Sequence, residues 1–266
     1  MKSLKNRNIY EVVDLPKRRK VIKNCWVFNI KSDGHYRSQL NTKGFSQVKE
    51  INFDKLFSPI VHYETTCLFL AVATLKNWDI YIVDIKTAYL YGNLDEEIYI
   101  EQPEDFRLLS KKKKVWWLHK VLYSLKQASS SYWQTMAKLM LTLRFKQCKS
   151  DTGVYYFIDE KTRELVITIV YVNNICFMGS KDFPLLLELK QKFIMKLECY
   201  DLEETKEFLR MYINYNCKDQ KIFIDQSEYL NKVLTWFNVT TNPTSTPLSL
   251  GYIFKPNNKQ CNSNFC

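Results

Sequence analysis

The chain has 266 residues, of which 46% are hydrophobic and 15% aromatic, a composition typical of a globular protein that excludes a disordered one. A net charge of +11, concentrated in residues 1–50, favours an anionic partner such as nucleic acid, although a solvated basic terminus would give the same charge. We expect no membrane association, because no apolar run approaches the length of a membrane span.

The start of the chain and its cysteines set the expected compartment. The residues after Met1 lack the apolar core of a secretory signal. The eight cysteines form no CxxC pair and the three histidines are scattered, which argues against a zinc site and for reduced thiols. We therefore expect an intracellular protein, cytoplasmic or nuclear.

The first half of the chain predicts a hairpin, a helix and two strands. Residues 25–45 alternate apolar and polar positions around a Ser-Asp-Gly turn, which is typical of a β-hairpin. A helical apolar face predicts a helix over residues 63–76. Short strands are predicted at 80–85 and 97–101.

The second half mixes strands and helices without regular alternation. Residues 115–145 predict a strand followed by a long helix over residues 130–143, whose apolar stripe faces the core. Strands over 153–180, an amphipathic helix from 183 and a hairpin turning at 218–220 follow, before a last helix with Ser227 as its N-cap. The polar tail after this helix is expected to be loose. This order favours an α+β fold over a doubly wound sheet.

Asp84 lies within an apolar strand, where a carboxylate is costly to bury unless it is paired, capping or bound to a metal. A structural explanation is that it caps the helical turn that follows. Asn173 and Asn174 interrupt another apolar run. A two-residue hairpin loop needs positive φ, which Asn tolerates, so a hairpin turn at these two residues is itself a sufficient explanation.

Several motifs follow one another along the chain: "VDIKTAYLYGNLDEEIYIEQPEDF", "LYSLKQASSSYW", "YVNNICFMGS", "FLRMYI" and "STPL", with "KGFSQ" and "INFDKLFSPIVHYETT" upstream. In this order they resemble the reverse transcriptase domain of copia-type retrotransposon polyproteins, from about Tyr10 to Leu248. The resemblance implies a right-hand polymerase fold of the α+β class with palm, fingers and a partial thumb. The implied regions are fingers at 1–58 and 93–132, palm at 59–92 and 133–224, and a partial thumb with a loose tail at 225–266.

The resemblance also implies a catalytic centre with two divalent metals, Mg²⁺ or Mn²⁺, held by three aspartates. Asp84 matches the first aspartate, and Asn173 and Asn174 stand where the other two belong in a Tyr-Val-Asp-Asp hairpin. Mg²⁺ prefers charged oxygen ligands, and an amide offers only a neutral carbonyl. We expect Asp84 to be the remaining metal ligand, metal affinity to be largely lost, and polymerase activity to be severely reduced.

Four further positions match nucleotide contacts of the family. Tyr89 matches an aromatic under the nucleotide sugar, and Gln127 a glutamine beside the incoming nucleotide. Lys43 and Arg37 match or neighbour basic triphosphate contacts. Each has a structural alternative, since Tyr89 is equally explained as a core aromatic and the two basic residues as surface charges. The implied partners are an RNA or DNA primer–template and deoxynucleotide triphosphates.

Other positions depart from the family pattern. Gln39 replaces an arginine, Ser129-Ser130 replace Pro-Arg, and Ser124 and Arg210 replace glycines. Where those glycines used positive φ, a side chain would add strain.

The start at Met1 within the family pattern and the end soon after "STPL" predict a truncated transposon fragment. The predicted function is a retrotransposon-derived RNA-directed DNA polymerase domain that is catalytically inactive. The alternatives are a noncatalytic nucleic-acid-binding remnant and a translated pseudogene without retained function.

Overall fold

The structure is a computed structural model that describes residues 2–30, 34–53, 56–107, 114–202, 207–216 and 219–239. The chain divides into two compact units, Met1–Asp225 and Gln226–Cys266. The described residues mix α-helices with several mainly antiparallel sheets, which confirms the predicted α+β class. Within them, no helix is both long and apolar enough to cross a membrane.

The helices and strands alternate irregularly along the chain. The α-helices are α1 (Lys2–Asn6), α2 (Tyr63–Leu75), α3 (Ala128–Thr142), α4 (Pro184–Lys196) and α5 (Ser227–Trp236). The first strands are β1 (Tyr10–Val13), β2 (Val21–Ile22), β3 (Asn24–Ile30), β4 (Tyr36–Thr42), β5 (Trp78–Ile85), β6 (Asn93–Ile100) and β7 (Val115–Lys120). The later ones are β8 (Lys146–Gln147), β9 (Val154–Ile158), β10 (Leu165–Tyr171), β11 (Asn174–Ser180), β12 (Cys199–Asp201), β13 (Glu207–Phe208), β14 (Met211–Asn216) and β15 (Lys221–Asp225).

A six-stranded sheet with the order β12-β5-β11-β10-β9-β8 carries the candidate site. Its central strands β10 and β11 are rich in β-branched and apolar residues, and five consecutive residues of each are buried. Such strands are stable only when both faces of the sheet are covered. Side chains alternate between the faces, so residues two apart along a strand share a face.

Both faces of this sheet are covered. On one face, α3 and α4 pack against the sheet through Met136, Met140, Leu186, Leu189 and Phe193. On the other, α2 and the three-stranded sheet β13-β14-β15 pack against it. The alternation places Ile82 and Cys176 in this second core, and Val83 and Ile175 in the first.

A separate four-stranded sheet with the order β1-β7-β6-β2 builds a third core around Ile98, Ile100, Trp116 and Leu118. A 3-10 turn, Ala88–Tyr91, lies between this core and that of the six-stranded sheet, since Ala88 is buried in one and Leu90 in the other. Strands β3 and β4 form a two-stranded hairpin of their own.

Most predicted elements are confirmed, with shifted ends. The helix predicted at 63–76 is Tyr63–Leu75, and the one predicted at 130–143 is Ala128–Thr142. The hairpins β3–β4 and β14–β15 are present, although parts of their predicted turns (31–33 and 218) and the tail from 240 lie outside the described residues. The prediction of Ser227 as an N-cap is wrong. Gln226 is the N-cap and Ser227 begins the helix.

Candidate active site

Strand pairing brings Asp84 and the Asn173-Asn174 pair together. In the antiparallel register of β5 and β11, Asn174 lies opposite Asp84, and the Ile85 N–H donates to the Asn173 carbonyl at 2.7 Å. Asp84 is two residues from Ile82 on β5, and Asn174 is two residues from Cys176 on β11, so each pair points to the same face of the sheet. Since Ile82 and Cys176 lie in the same core, both polar side chains belong to the face covered by α2 and β13–β15.

The hairpin loop lies one residue earlier than predicted. Tyr171 pairs with Asn174, so the two loop residues are Val172 and Asn173, and Asn174 already belongs to β11. Val172 takes the positive φ, +49°, as the first loop position of a type II′ turn does. A β-branched residue in this region is strained. The prediction that Asn supplied the positive φ is therefore wrong.

Hydrogen bonds hold this strained loop against β5 and α3. The hydroxyl of Tyr132, on α3, donates to the Val172 carbonyl at 2.6 Å. Tyr132 is buried, and burial raises the pKa of its hydroxyl well above the ordinary value, so the donor keeps its proton at neutral pH. The sequence reasoning missed Tyr132, because an aromatic residue in a helical apolar stripe predicts only a core contact.

The Asn173 side chain is hydrogen-bonded to the carboxylate of Asp84. Its Nδ2 donates to Asp84 Oδ2 at 2.7 Å, and the Asn174 Nδ2 approaches Asn173 Oδ1 at 3.4 Å. A hydrogen bond to a carboxylate is about twice as strong as one between neutral groups. The alternative that Asp84 caps the next helical turn is wrong, since Thr87 occupies the N-cap of that turn.

These residues do not fit a two-metal site. The centre offers one carboxylate and two neutral amides, and one amide N–H points at the carboxylate oxygen that a cation would need. Among the described residues, no group of three or more His, Cys, Asp and Glu side chains could hold a metal ion. Divalent Mg²⁺ and Mn²⁺ are hard cations that require anionic oxygen ligands, so this donor set is too weakly charged for a pair of them.

The site opens into a cleft with a volume of about 930 Å³. Its lining includes Asp84, Tyr171 and Asn174 of the six-stranded sheet, and Leu209 and Arg210 of the β13–β14 turn. The cleft is also lined by Ile60, Val61, His62, Tyr63, Leu202 and Glu207. This size is within the range of pockets that bind small molecules, and the lining mixes aromatic, apolar and charged groups.

Tyr89 lies in the 3-10 turn after β5 and is half-buried. Its ring packs edge-on against Tyr123 and Tyr132, with centroid distances of 5.8 and 5.7 Å. Its hydroxyl lies 3.3 Å from Ser129 Oγ. Aromatic residues therefore run from Tyr123 through Tyr89 to the residue that holds the Val172 loop. The predicted role of Tyr89 at the nucleotide sugar stays a prediction.

Gln127 is 2% exposed and bonded to protein groups at both ends of its amide. Its Oε1 accepts from Gln47 Nε2 at 3.0 Å. Its Nε2 donates to the Asn52 carbonyl at 2.8 Å and to Glu96 Oε2 at 3.3 Å. These contacts give Gln127 a clear structural role between three segments, and the predicted nucleotide contact stays a prediction.

The two predicted basic contacts, Lys43 and Arg37, lie just after β4 and on β4. Lys43 precedes the 3-10 turn Gly44–Ser46 and is half-buried. A Cβ on Gly44 would stand 1.9 Å from the Ser124 carbonyl oxygen, so only glycine fits after Lys43. Arg37 is exposed on β4, where its guanidinium contacts Tyr123 and opposes the rise that burial causes in the pKa of that tyrosine.

The backbone strain predicted at two departures is confirmed. Ser124 has φ +66° and Arg210 has φ +61°, both in the left-handed region that favours glycine. Ser129 and Ser130 lie in the first turn of α3, which starts at Ala128. Leu209, which precedes Arg210, also has a positive φ, +55°, and this residue gave no signal in the sequence.

A family model described as reverse transcriptase (RNA-dependent DNA polymerase) matches residues 7–249. The chain is 35% identical to the retrovirus-related Pol polyprotein from transposon TNT 1-94 of Nicotiana tabacum, over 98% of this chain and 20% of the relative. It is 30% identical to the corresponding polyprotein from transposon RE1 of Arabidopsis thaliana, over 90% of this chain and 16% of the relative. The chain is 27% identical to the transposon Ty1-NL2 Gag-Pol polyprotein of Saccharomyces cerevisiae, over 94% of this chain and 14% of the relative.

The chain thus spans a fifth or less of the length of these polyproteins. The matched region includes Asp84, the Asn173-Asn174 pair and the β13–β14 turn. The expected resemblance to copia-type polyproteins is therefore confirmed, and the chain belongs to the reverse transcriptase family.

Proposed function

We propose that this chain is a retrotransposon-derived RNA-directed DNA polymerase domain that has lost catalysis. The observation that carries the proposal is the 2.7 Å hydrogen bond from Asn173 Nδ2 to Asp84 Oδ2. The Asn173 amide thus supplies a hydrogen-bond donor to the Asp84 carboxylate from within the protein. Binding a divalent ion at Asp84 would break this bond, and neither Asn173 nor Asn174 would add a compensating negative charge.

We further propose the right-hand division of the fold. The six-stranded sheet with α3 and α4 would be the palm, and the four-stranded sheet with the β3–β4 hairpin the fingers. The boundaries would be those given above, 1–58, 59–92, 93–132, 133–224 and 225–266. In this arrangement Arg37, Lys43 and Gln127 belong to the fingers and Tyr89 belongs to the palm.

Primer extension on an RNA template with Mg²⁺ or Mn²⁺ tests the loss of catalysis. The unaltered chain is assayed beside the double variant Asn173→Asp/Asn174→Asp. We expect no extension by the unaltered chain. Extension by the double variant would locate the defect at the metal site, whereas extension by the unaltered chain would refute the proposal.

A second candidate function is noncatalytic binding of nucleic acid. The observations that favour it are the net charge of +11 and the open cleft at the site. Binding through phosphates releases counterions, so the affinity should fall steeply with salt. Fluorescence anisotropy of a labelled primer–template at several salt concentrations tests it, and an affinity that does not change with salt would contradict it.

A further inference from the structure

The lining of the cleft has a charge opposite to that of the whole chain. Among the described residues, its charged side chains are the carboxylates of Asp84 and Glu207 and the guanidinium of Arg210. Two negative groups and one positive group give a formal sum of −1, whereas the chain has +11. Arg210 already takes part in an interaction within the protein. The interior of the cleft therefore favours a cationic ligand, although the surface as a whole favours an anionic one.

An ammonium group fits the oxygen atoms at Asp84 better than a divalent metal does. It requires hydrogen-bond acceptors, which can be neutral or charged, whereas Mg²⁺ requires anionic ligands. A carboxylate has about four acceptor positions, so Asp84 can accept from an ammonium as well as from its partners within the protein, which include Asn173 Nδ2 at 2.7 Å. The amide oxygen of Asn174, in the same lining, is a further neutral acceptor. An ammonium can therefore bind without breaking the bond that holds Asn173.

The second carboxylate of the cleft belongs to a different sheet. Glu207 is an exposed residue of β13, in the three-stranded sheet, whereas Asp84 lies on β5 of the six-stranded sheet. A ligand that balances both carboxylates must carry two positive groups joined by a spacer. The rest of the lining suits such a ligand, because aliphatic side chains can cover methylene groups and tyrosine rings attract ammonium groups. These lining residues are Ile60, Val61, Leu202, Leu209, Tyr63 and Tyr171.

We propose that the cleft binds an aliphatic diamine or polyamine, with one ammonium group at Asp84 and Asn174 and another at Glu207. The cleft volume of about 930 Å³ is sufficient for such a chain. The inference rests on the proposed loss of the metal site, because Mg²⁺ and an ammonium group would compete for Asp84. It adds a class of ligand that the proposed function does not include. A nucleic acid bound through the basic surface of the chain would be a separate ligand.

Isothermal titration calorimetry of the full chain with cadaverine, in a metal-free buffer of low salt concentration, tests this proposal. Two matched ligands accompany it. Pentylamine keeps the chain length and one ammonium group, and the corresponding pentanediol keeps the chain length without charge. We expect cadaverine to bind about 10-fold more tightly than pentylamine, because the second ammonium group adds one charge-assisted hydrogen bond. Pentanediol should not bind, and the affinity of cadaverine should fall as salt is added.

Three variants locate the two ends of the ligand. Glu207→Gln should weaken the binding of cadaverine about 10-fold and leave that of pentylamine unchanged, whereas Asp84→Asn should weaken the binding of both. Glu160→Gln is the matched control, since Glu160 is an exposed glutamate in the turn between β9 and β10, outside the cleft lining. It removes one carboxylate from the chain, as Glu207→Gln does, and should change neither affinity.

The possible failures are distinguishable. Equal weakening by Glu207→Gln and Glu160→Gln, or equal affinity for cadaverine and pentylamine, would show attraction to surface charge only and overturn the site. Failure of both cadaverine and Mg²⁺ to bind the unaltered chain would overturn this inference alone and leave the loss of the metal site standing. Displacement of cadaverine by micromolar Mg²⁺ would show that the metal site is intact, and would overturn the proposed function together with this inference.

Discussion

Replacing Asn173 by Asp should destabilise the metal-free protein. The change removes the hydrogen bond that Asn173 donates to Asp84 at 2.7 Å and brings two carboxylates together at that position. A hydrogen bond to a charged group is worth about 1.5–3 kcal/mol. Repulsion between unit charges at ~4 Å adds up to about 4 kcal/mol at an effective dielectric of ~20. Both side chains are half-exposed, so salt and water reduce the second contribution, and we expect a net loss of about 3 kcal/mol at neutral pH.

A divalent ion should restore this loss, because the variant offers it two carboxylates. An ion that binds only the folded protein stabilises it by about 2.7 kcal/mol at 100 times its dissociation constant. Lower pH should act in the same direction in the absence of metal. Each of two adjacent carboxylates raises the pKa of the other, and protonation of one of them relieves the repulsion.

Urea unfolding in EDTA and in Mg²⁺, followed by tryptophan fluorescence, measures these effects. The exchanged variant Asp84→Asn/Asn173→Asp is the matched control, since it keeps one carboxylate and one amide and should recover most of the stability in EDTA. A single variant as stable as the unaltered chain in EDTA would refute the reasoning. An exchanged variant as unstable as the single one would refute it as well.

Three further predictions follow from buried and strained groups. Ser124→Gly should raise the free energy of unfolding by about 1 kcal/mol in urea titrations, since Ser124 has φ +66°, whereas Ser131→Gly, within α3, should lower it by about 0.5 kcal/mol. Lys190, 1% exposed, pairs with Asp201 at 2.7 Å, so Lys190→Met should lower the unfolding midpoint, and Lys190→Met/Asp201→Asn should recover most of the loss. Burial raises the pKa of the Cys176 thiol from 9.0 to about 12, so this thiol stays protonated in the folded chain while it ionises in the unfolded one. The free energy of unfolding should therefore fall as pH rises through this range, and Cys176→Val should reduce that fall.

Helices and strands with a regular spacing of apolar residues could be predicted from the sequence. The helix Tyr63–Leu75 follows from its apolar spacing, and the hairpin β10–β11 from β-prone flanks around two polar residues. The loop within that hairpin was misplaced by one residue, because Asn favours positive φ locally and predicts the turn at Asn173-Asn174. In the structure Asn174 instead belongs to β11, where it pairs with Asp84 of β5, and the positive φ of the loop falls on Val172.

The partners of the site residues could not be predicted in the same way. A sequence gives no sign that the Tyr132 hydroxyl reaches the Val172 carbonyl or that the amide of Gln127 joins segments around Gln47 and Asn52. These contacts depend on how distant elements pack. Strain at Ser124 and Arg210 was predictable only because the resemblance indicated glycine there.

The 3-10 turn Ala88–Tyr91 has a consequence for folding cooperativity. Ala88 is buried in the core of the six-stranded sheet and Leu90 in that of the four-stranded sheet, with Tyr89 packed against both. Four consecutive residues cannot leave one core and keep their conformation in the other. Amide hydrogens of β5 and β7 should therefore exchange with solvent through the same opening event, and the two sheets should unfold as one foldon.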